Sequence, residues 1–422
     1  MASASASVEE DSVSADSVSR HSAVARGLEF VRCYIYQDAP RRVHLLGEQC
    51  VAMFYDVWLS AEDEALCDLA RETAVSLLTT LQEYWLEQWQ LPWNERQFLE
   101  ILSIVRYEPL GVDCSRILSR ADEACASIDM RHLTLSAEQH ADWQSGQLSS
   151  KVWFDVMYAA FTYEYAALVY PDRFLPAPRI GLREVLAGLR RHAFEAPCQP
   201  SPTSDFGEAS YLATHSYFWL AGHAPTLDMH HEAPWLAAFL RRTLEFWLSQ
   251  AALRTARSAG NARDGLVYAD LDAIAECLDV LGCSVHAART EGRAIEAGLP
   301  QLLDRAGECL LSHQQADGSW PHLPFPINDS MRVKLLHLPS MDSVDEYSAV
   351  YDTLHATWTA LTALCDKRPI STVASPPSPS APSRLQTALK YAERTRELMR
   401  VAGFGTQQGV PKSKRGKGAR RT

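Results

Sequence analysis

Gln314-Gln315-Ala316-Asp317-Gly318-Ser319-Trp320-Pro321 joins two stretches of helical character. Leu302, Leu303, Ala306 and Leu310 recur before it at helical spacing, and Tyr351, Leu354, His355 and Trp358 recur after it. Asp317-Gly318 fits a turn that needs a positive φ at the glycine. Trp320 brings a large apolar surface to bury against the helices it joins.

The same texture extends in both directions. Leu28, Val31 and Ile35 share a helix face, and Leu45, Leu46, Met53, Val57 and Trp58 continue the pattern. Glu62 to Trp89 is long and amphipathic, Asn94 can cap the helix after it, and Ser136-Ala-Glu-Gln139 has the form of a capping box. Ser149 to Tyr170 is apolar nearly all round and reads as a buried helix. Further helices follow at Glu208 to Leu220, Pro234 to Leu253, Leu266 to Leu281, Glu291 to His313 and Asp345 to Cys365. Alternating strand patterns are almost absent, so the class is all-α. Apolar helices alternate with amphipathic ones at roughly 60 to 80 residues per pair. A toroid of inner helices covered by outer helices predicts that alternation; an open helical-repeat solenoid is the alternative.

The domain organisation follows from composition. Residues 1–22 are Ser-rich and acidic and read as disordered; 23–370 form the helical domain. Residues 371–383 are a Pro/Ser linker, 384–403 a last helix, and 404–422 a disordered basic tail with Lys412, Lys414, Arg415, Lys417, Arg420 and Arg421. A chain of 422 residues with 47% hydrophobic content can bury a large core. The formal charge of −12 argues against nucleic-acid binding by the globular part, with the basic tail as the exception. Ten cysteines lie scattered without a Cys-x-x-Cys pair and read as reduced thiols. No run approaches the roughly 20 apolar residues of a membrane span, and the N-terminus lacks the apolar core of a signal peptide. These features predict a cytoplasmic protein, or a nuclear one if the basic tail directs import.

The pattern Gln314-x-x-Asp317-Gly318-Ser319-Trp320 resembles the repeat signature of terpenoid cyclases and protein prenyltransferases, over about residues 207–365. Those families are α/α-toroids in which such elements tie inner helices to outer ones. The chain carries one good copy. The resemblance implies a toroid fold and a ligand in its central cavity.

Three later helices carry polar groups among apolar neighbours: Thr214-His215, Asp270-Leu-Asp272-Ala-Ile-Ala-Glu276-Cys277, and Asp352-Thr-Leu-His355. If these are successive inner helices, their side chains converge on the cavity. His215, Glu276, Cys277 and His355 are then candidate Zn²⁺ ligands with one position open, as in catalytic zinc sites. The similarity to prenyltransferases, which bind zinc through Asp, Cys and His, points the same way. Asp270, Asp272 and Asp352 are the candidate catalytic carboxylates. Asp270-Leu-Asp272-Ala273 resembles the Asp-x-Asp-Asp acid of protonating cyclases but lacks its last carboxylate, and Asp-Asp-x-x-Asp is absent. The plainer reading makes the histidines hydrogen-bonded core residues and the two aspartates a helix cap. His230-His231-Glu232 sits before the Pro234 helix without a fixed ligand geometry, and no His-Glu-x-x-His, phosphate loop or Gly-x-Ser-x-Gly occurs. The rings Trp153, Phe154, Tyr158, Phe161, Tyr217, Phe218 and Trp219 are either core or the wall of an apolar pocket.

The expected function is a toroid enzyme acting on a small, largely apolar, isoprenoid-like metabolite, with metal assistance. The rival is a non-catalytic helical scaffold that binds a protein or peptide. An enzyme needs His215, His355 and a carboxylate within a few ångströms in a closed cavity; a scaffold disperses them and exposes an apolar groove.

Overall fold

A computed structural model of the protein describes residues 15–136, 139–146, 148–192, 204–221, 227–258, 270–321, 341–365, 384–402 and 404. The regular structure among them is helical, in sixteen α-helices and two short 3-10 helices. These are α1 (Ala15–Tyr36), α2 (Ala39–Leu46), α3 (Gln49–Ser60), α4 (Glu64–Gln88), α5 (Glu95–Ser103), α6 (Ser115–Cys125), α7 (Gln139–Ser145) and α8 (Ser150–Val169). There follow α9 (Leu182–His192), α10 (Ser204–Ala221), α11 (Met229–Glu232), α12 (Pro234–Ser258), α13 (Leu271–Thr290), α14 (Leu299–His313), α15 (Met341–Leu364) and α16 (Arg384–Val401). No helix among the described residues is long and apolar enough to cross a membrane.

Local signals start these helices. Asp63 caps α4 by accepting from the Leu66 amide, and Asn94 and Gln97 close a reciprocal capping box on α5. Ser136 and Gln139 pair in the same way before α7, at 3.1 and 3.2 Å. Two boundaries differ from the expectation. The helix begun at Ala23 extends back to Ala15, inside the segment read as disordered; once Ala23, Val24 and Leu28 are buried, adding turns outward needs no new nucleus. The helix read as ending at Leu281 runs through Gly282 to Thr290, because Cys283, Val285, Ala287 and Ala288 keep it buried. Residues 1–14, the 371–383 linker and the basic tail from 405 on lie outside the described residues.

The helices form two layers. Helices α3, α5, α8, α10, α13 and α15 all contribute side chains to one central cavity. Outside them, α4 packs on α3, α6 on α5, α9 on α8, and α12 on α10 and α13; α14 packs on α13 and α15. Along the cavity, α5 packs on α8, α8 on α10, α10 on α13 and α13 on α15. Helix α15 in turn packs on α1, α2 and α3.

The Gln314–Trp320 turn fastens that last junction. Gly318 has φ +96, and the Trp320 indole donates to the Leu310 carbonyl at 2.7 Å, folding the ring back on α14. The Trp320 amide donates to Thr357 Oγ1 on α15 at 2.9 Å. The Gln314 amide group donates to the Gly318 carbonyl at 3.0 Å and to the Ala23 carbonyl on α1 at 2.8 Å. The turn thus ties three helices, one of them from the far end of the chain.

Candidate functional site

The site grows from the start of α13. Asp270 caps that helix, its Oδ1 accepting from the Ala273 amide at 3.0 Å. Asp272 and Glu276 follow one turn apart, so both carboxyls share a face. Helix α15 brings His355 Nε2 to 3.1 Å from Asp272 Oδ2, and Thr359, one turn on, donates to Asp272 Oδ1 at 2.7 Å. Helix α10 supplies the third side. Tyr211 OH donates to Asp272 Oδ2 at 2.7 Å and lies 3.4 Å from Asp270 Oδ2; Thr214 donates to Glu276 Oε2 at 2.5 Å. His215 Nδ1 is 3.7 Å from that same oxygen and 2.9 Å from the Tyr211 carbonyl.

Asp270, Asp272, Glu276 and His355 are all buried, none more than 5% exposed. Three carboxyls out of water cannot all be charged without compensation. Burial, then the neighbouring Asp272, pushes Asp270 up to about 7. Burial, then Asp272, holds Glu276 well above the ordinary glutamate range, against the lowering effect of the Thr214 hydrogen bond. Burial likewise raises the Cys277 thiol.

The structure brings together most of the residues singled out in the sequence. One ligand atom each from Asp272, Glu276 and His355 lies within 4.8 Å of the others, a group able to hold a metal ion. Two carboxylates and an imidazole suit Zn²⁺ or a harder divalent ion. His215 adjoins the group through Glu276. Cys277 is buried beside Glu276 in sequence but turned about 100° around the helix, and it does not join the group. Asp352 sits half-buried on α15, three residues before His355, and outside the cavity lining. His230 and His231 pair with Glu296 and Glu232, at 3.4 and 3.5 Å, away from this cluster.

Glu276, His355 and His215 face a cavity of about 280 Å³, while Asp270 and Asp272 stand behind them. Rings from α8, α10 and α15, among them Phe154, Phe161, Trp219, Tyr351 and Trp358, form much of its wall. Tyr351 stacks on His355 at 4.3 Å between centroids and Trp358 meets it edge-on at 5.6 Å, which fixes the imidazole plane. Thr359 was legible only as the i+4 neighbour of His355. Arg96 and Glu100 of α5 also line the cavity, with Glu48 just before α3 and Arg106 just after α5; in the sequence nothing sets these charges apart from ordinary solvated ones.

No protein-family model matches the chain, and no curated protein and no solved structure matches it.

Proposed function

We propose that the chain is an enzyme built as an α/α-toroid, in which the central cavity receives a small, largely apolar, isoprenoid-like molecule. The observation that carries the proposal is the convergence of Asp272, Glu276 and His355, from two cavity helices, at the wall of an aromatic-lined cavity. Toroid closure, over the open solenoid, is supported by α15, which packs on α13 and also on α3. A solenoid keeps its last repeat away from its first. The scaffold reading gains little: among the described residues the exposed large hydrophobics are Tyr36, Leu175 and Val401, on separate elements.

Asp272, Glu276 and His355 would hold a divalent cation such as Zn²⁺, which when bound supplies a Lewis acid or an activated water. The chain's own residues prepare that site. Tyr211 and Thr359 fix Asp272, Thr214 orients Glu276, and Tyr351 holds the His355 ring. The rings of α8, α10 and α15 line the cavity and keep water from the cluster. Asp270 acts through the groups in front of it, with Tyr211 OH between its carboxyl and that of Asp272, and Asp352 and Cys277 take no part in this scheme.

A second reading rests on the raised Glu276 carboxyl. With no cation bound, a proton neutralises it, and a neutral carboxylic acid on the cavity wall can protonate a double bond or an oxygen of the ligand. None of the nine described cysteines forms a disulfide, in keeping with a cytoplasmic enzyme; nuclear import would run through the basic tail.

Elemental analysis of purified protein, together with apolar-ligand binding read by quenching of tryptophan fluorescence, separates these readings, on wild type, Glu276→Gln and His355→Ala, with circular dichroism as the fold control. One equivalent of zinc in wild type, lost in both variants, supports the cation. Metal-free protein that binds an apolar ligand in the cavity supports the Glu276 proton. Metal-free protein that binds no ligand returns the cluster to the core and favours the scaffold.

A further inference from the structure

The cavity has a second polar wall, opposite in character to the aromatic one. Arg96 on α5 pairs with Glu100 at 2.8 Å, and Arg106, in the 3-10 turn after α5 (Ile104–Leu110), lies 3.5 Å from Glu48. The Arg96 guanidinium also covers the Tyr158 ring, 4.8 Å from its centroid. Tyr347 OH donates to Gln49 Oε1 at 3.0 Å. All of these residues line the cavity. Two polar atoms of this wall, Tyr158 OH and Arg96 Nε, are shielded from water and find no hydrogen-bond partner among the described residues. A buried hydroxyl or N–H in that condition has given up its water without gaining a partner, and a ligand oxygen beside it supplies one.

Charge limits what that oxygen belongs to. The lining carries two guanidiniums, Arg96 and Arg106, against five carboxyls, Glu48, Asp56, Glu100, Glu276 and Asp279. With a proton on Glu276, four carboxylates still face two guanidiniums. A divalent cation at the cluster offsets two charges and leaves the five-to-two lining negative by one. Neither guanidinium is left over for an anion, since each already has a carboxylate partner.

We infer that the cavity takes an uncharged amphiphile, an alcohol or a carbonyl compound with an apolar body, and rejects diphosphates and carboxylates. The body lies against Phe161, Trp219 and Trp358, and the oxygen lies against Tyr158 and Arg96. This inference rests on the reading of the cavity as a ligand site, and it adds the chemical class.

The test uses full-length protein and three probes sharing one skeleton: farnesol, farnesene and farnesyl diphosphate. Binding is read by quenching of tryptophan fluorescence. Farnesol is expected to bind at least tenfold more tightly than either of the others. Tyr158→Phe, which removes only a hydroxyl, should bring farnesol down to the level of farnesene and leave farnesene unchanged. Glu100→Gln, which strips Arg96 of its carboxylate, should raise diphosphate affinity about tenfold. Equal binding of farnesol and farnesene, or tightest binding of the diphosphate, overturns the chemical class while the cavity remains a ligand site. Failure of all three to bind overturns both.

Discussion

Replacing Gly318 with alanine probes the junction of α1, α14 and α15. A Cβ on Gly318 would sit 2.5 Å from the Arg26 carbonyl oxygen and 2.8 Å from its carbonyl carbon, both backbone atoms of α1. Helix α1 must therefore retreat by about 1 Å to restore ordinary contact. The retreat stretches the 2.8 Å bond from Gln314 to the Ala23 carbonyl, a loss of about 1 kcal/mol. It also opens the packing at Gly27, whose own Cβ position is 2.8 Å from Trp320 and Leu361. Holding alanine at φ +96 adds about 1–2 kcal/mol. The expected destabilisation is about 3–4 kcal/mol. Gly292→Ala is the control: it has φ +67, and its Cβ would meet nothing within 4 Å. That variant carries the backbone cost and the unfolded-chain effect of any Gly→Ala change, but no clash. Urea unfolding followed by circular dichroism should separate the two by about 2 kcal/mol at unchanged slope. Equal losses in both variants would refute the close approach of α1 to the turn.

Other perturbations test neighbouring claims. Thr357→Val leaves the buried Trp320 amide without its acceptor and should cost about 1–3 kcal/mol in the same titration; a neutral result would mean the amide bonds elsewhere. Asp270 is held near 7 against an ordinary 3.8, so the folded state binds its proton more tightly than the unfolded chain. Its contribution is fully present below pH 3.8 and is lost as pH rises through 7. Wild type should therefore fall by about 2–3 kcal/mol relative to Asp270→Asn between pH 5 and pH 8, and a constant difference would show that Asp270 is charged throughout. Tyr211→Phe removes the hydroxyl that donates to Asp272 Oδ2; if zinc occupies the cluster, chelator competition should show it held about tenfold more weakly, and unchanged affinity would detach Tyr211 from the site.

The helical class was legible because apolar residues recur at helical spacing along nearly the whole chain. The Gln314–Trp320 turn was legible because Asp-Gly and a tryptophan each demand something specific of the backbone or the core. The break between α2 and α3 at Gly47, φ +58, was not. Leu45, Leu46, Met53 and Val57 keep one apolar rhythm across it, and rhythm does not register a change of direction. At the site, burial among apolar neighbours marked Asp270, Asp272, Glu276 and His355. Helix phase could have separated Cys277 from Glu276, and it favours Asp272 as the partner one turn away. Phase does not choose between Asp352 and Thr359, which flank His355 on opposite sides; the approach of α15 to α13 decides that in favour of Thr359. Arg96, Glu100 and Arg106 carried no signal of their own in the sequence. Charges beside an apolar stripe look outward until a partner lets them turn in, here Glu100 for Arg96 and Glu48, just before α3, for Arg106.

The Gln314 bond to the Ala23 carbonyl spans 291 residues, and α1 packs chiefly on α15. During synthesis α1 leaves the ribosome long before either of its fastenings exists. At about 5–20 residues per second, that interval lasts roughly 15 to 60 s. Throughout it Val24, Leu28, Val31 and Ile35, all buried in the finished protein, lack their main cover. Contacts this distant in sequence make for slow folding, and α1 is a natural stretch for a chaperone to hold while the rest of the chain is made. A nascent or truncated chain that stops before Trp320 keeps that face open, and aggregation is its expected fate.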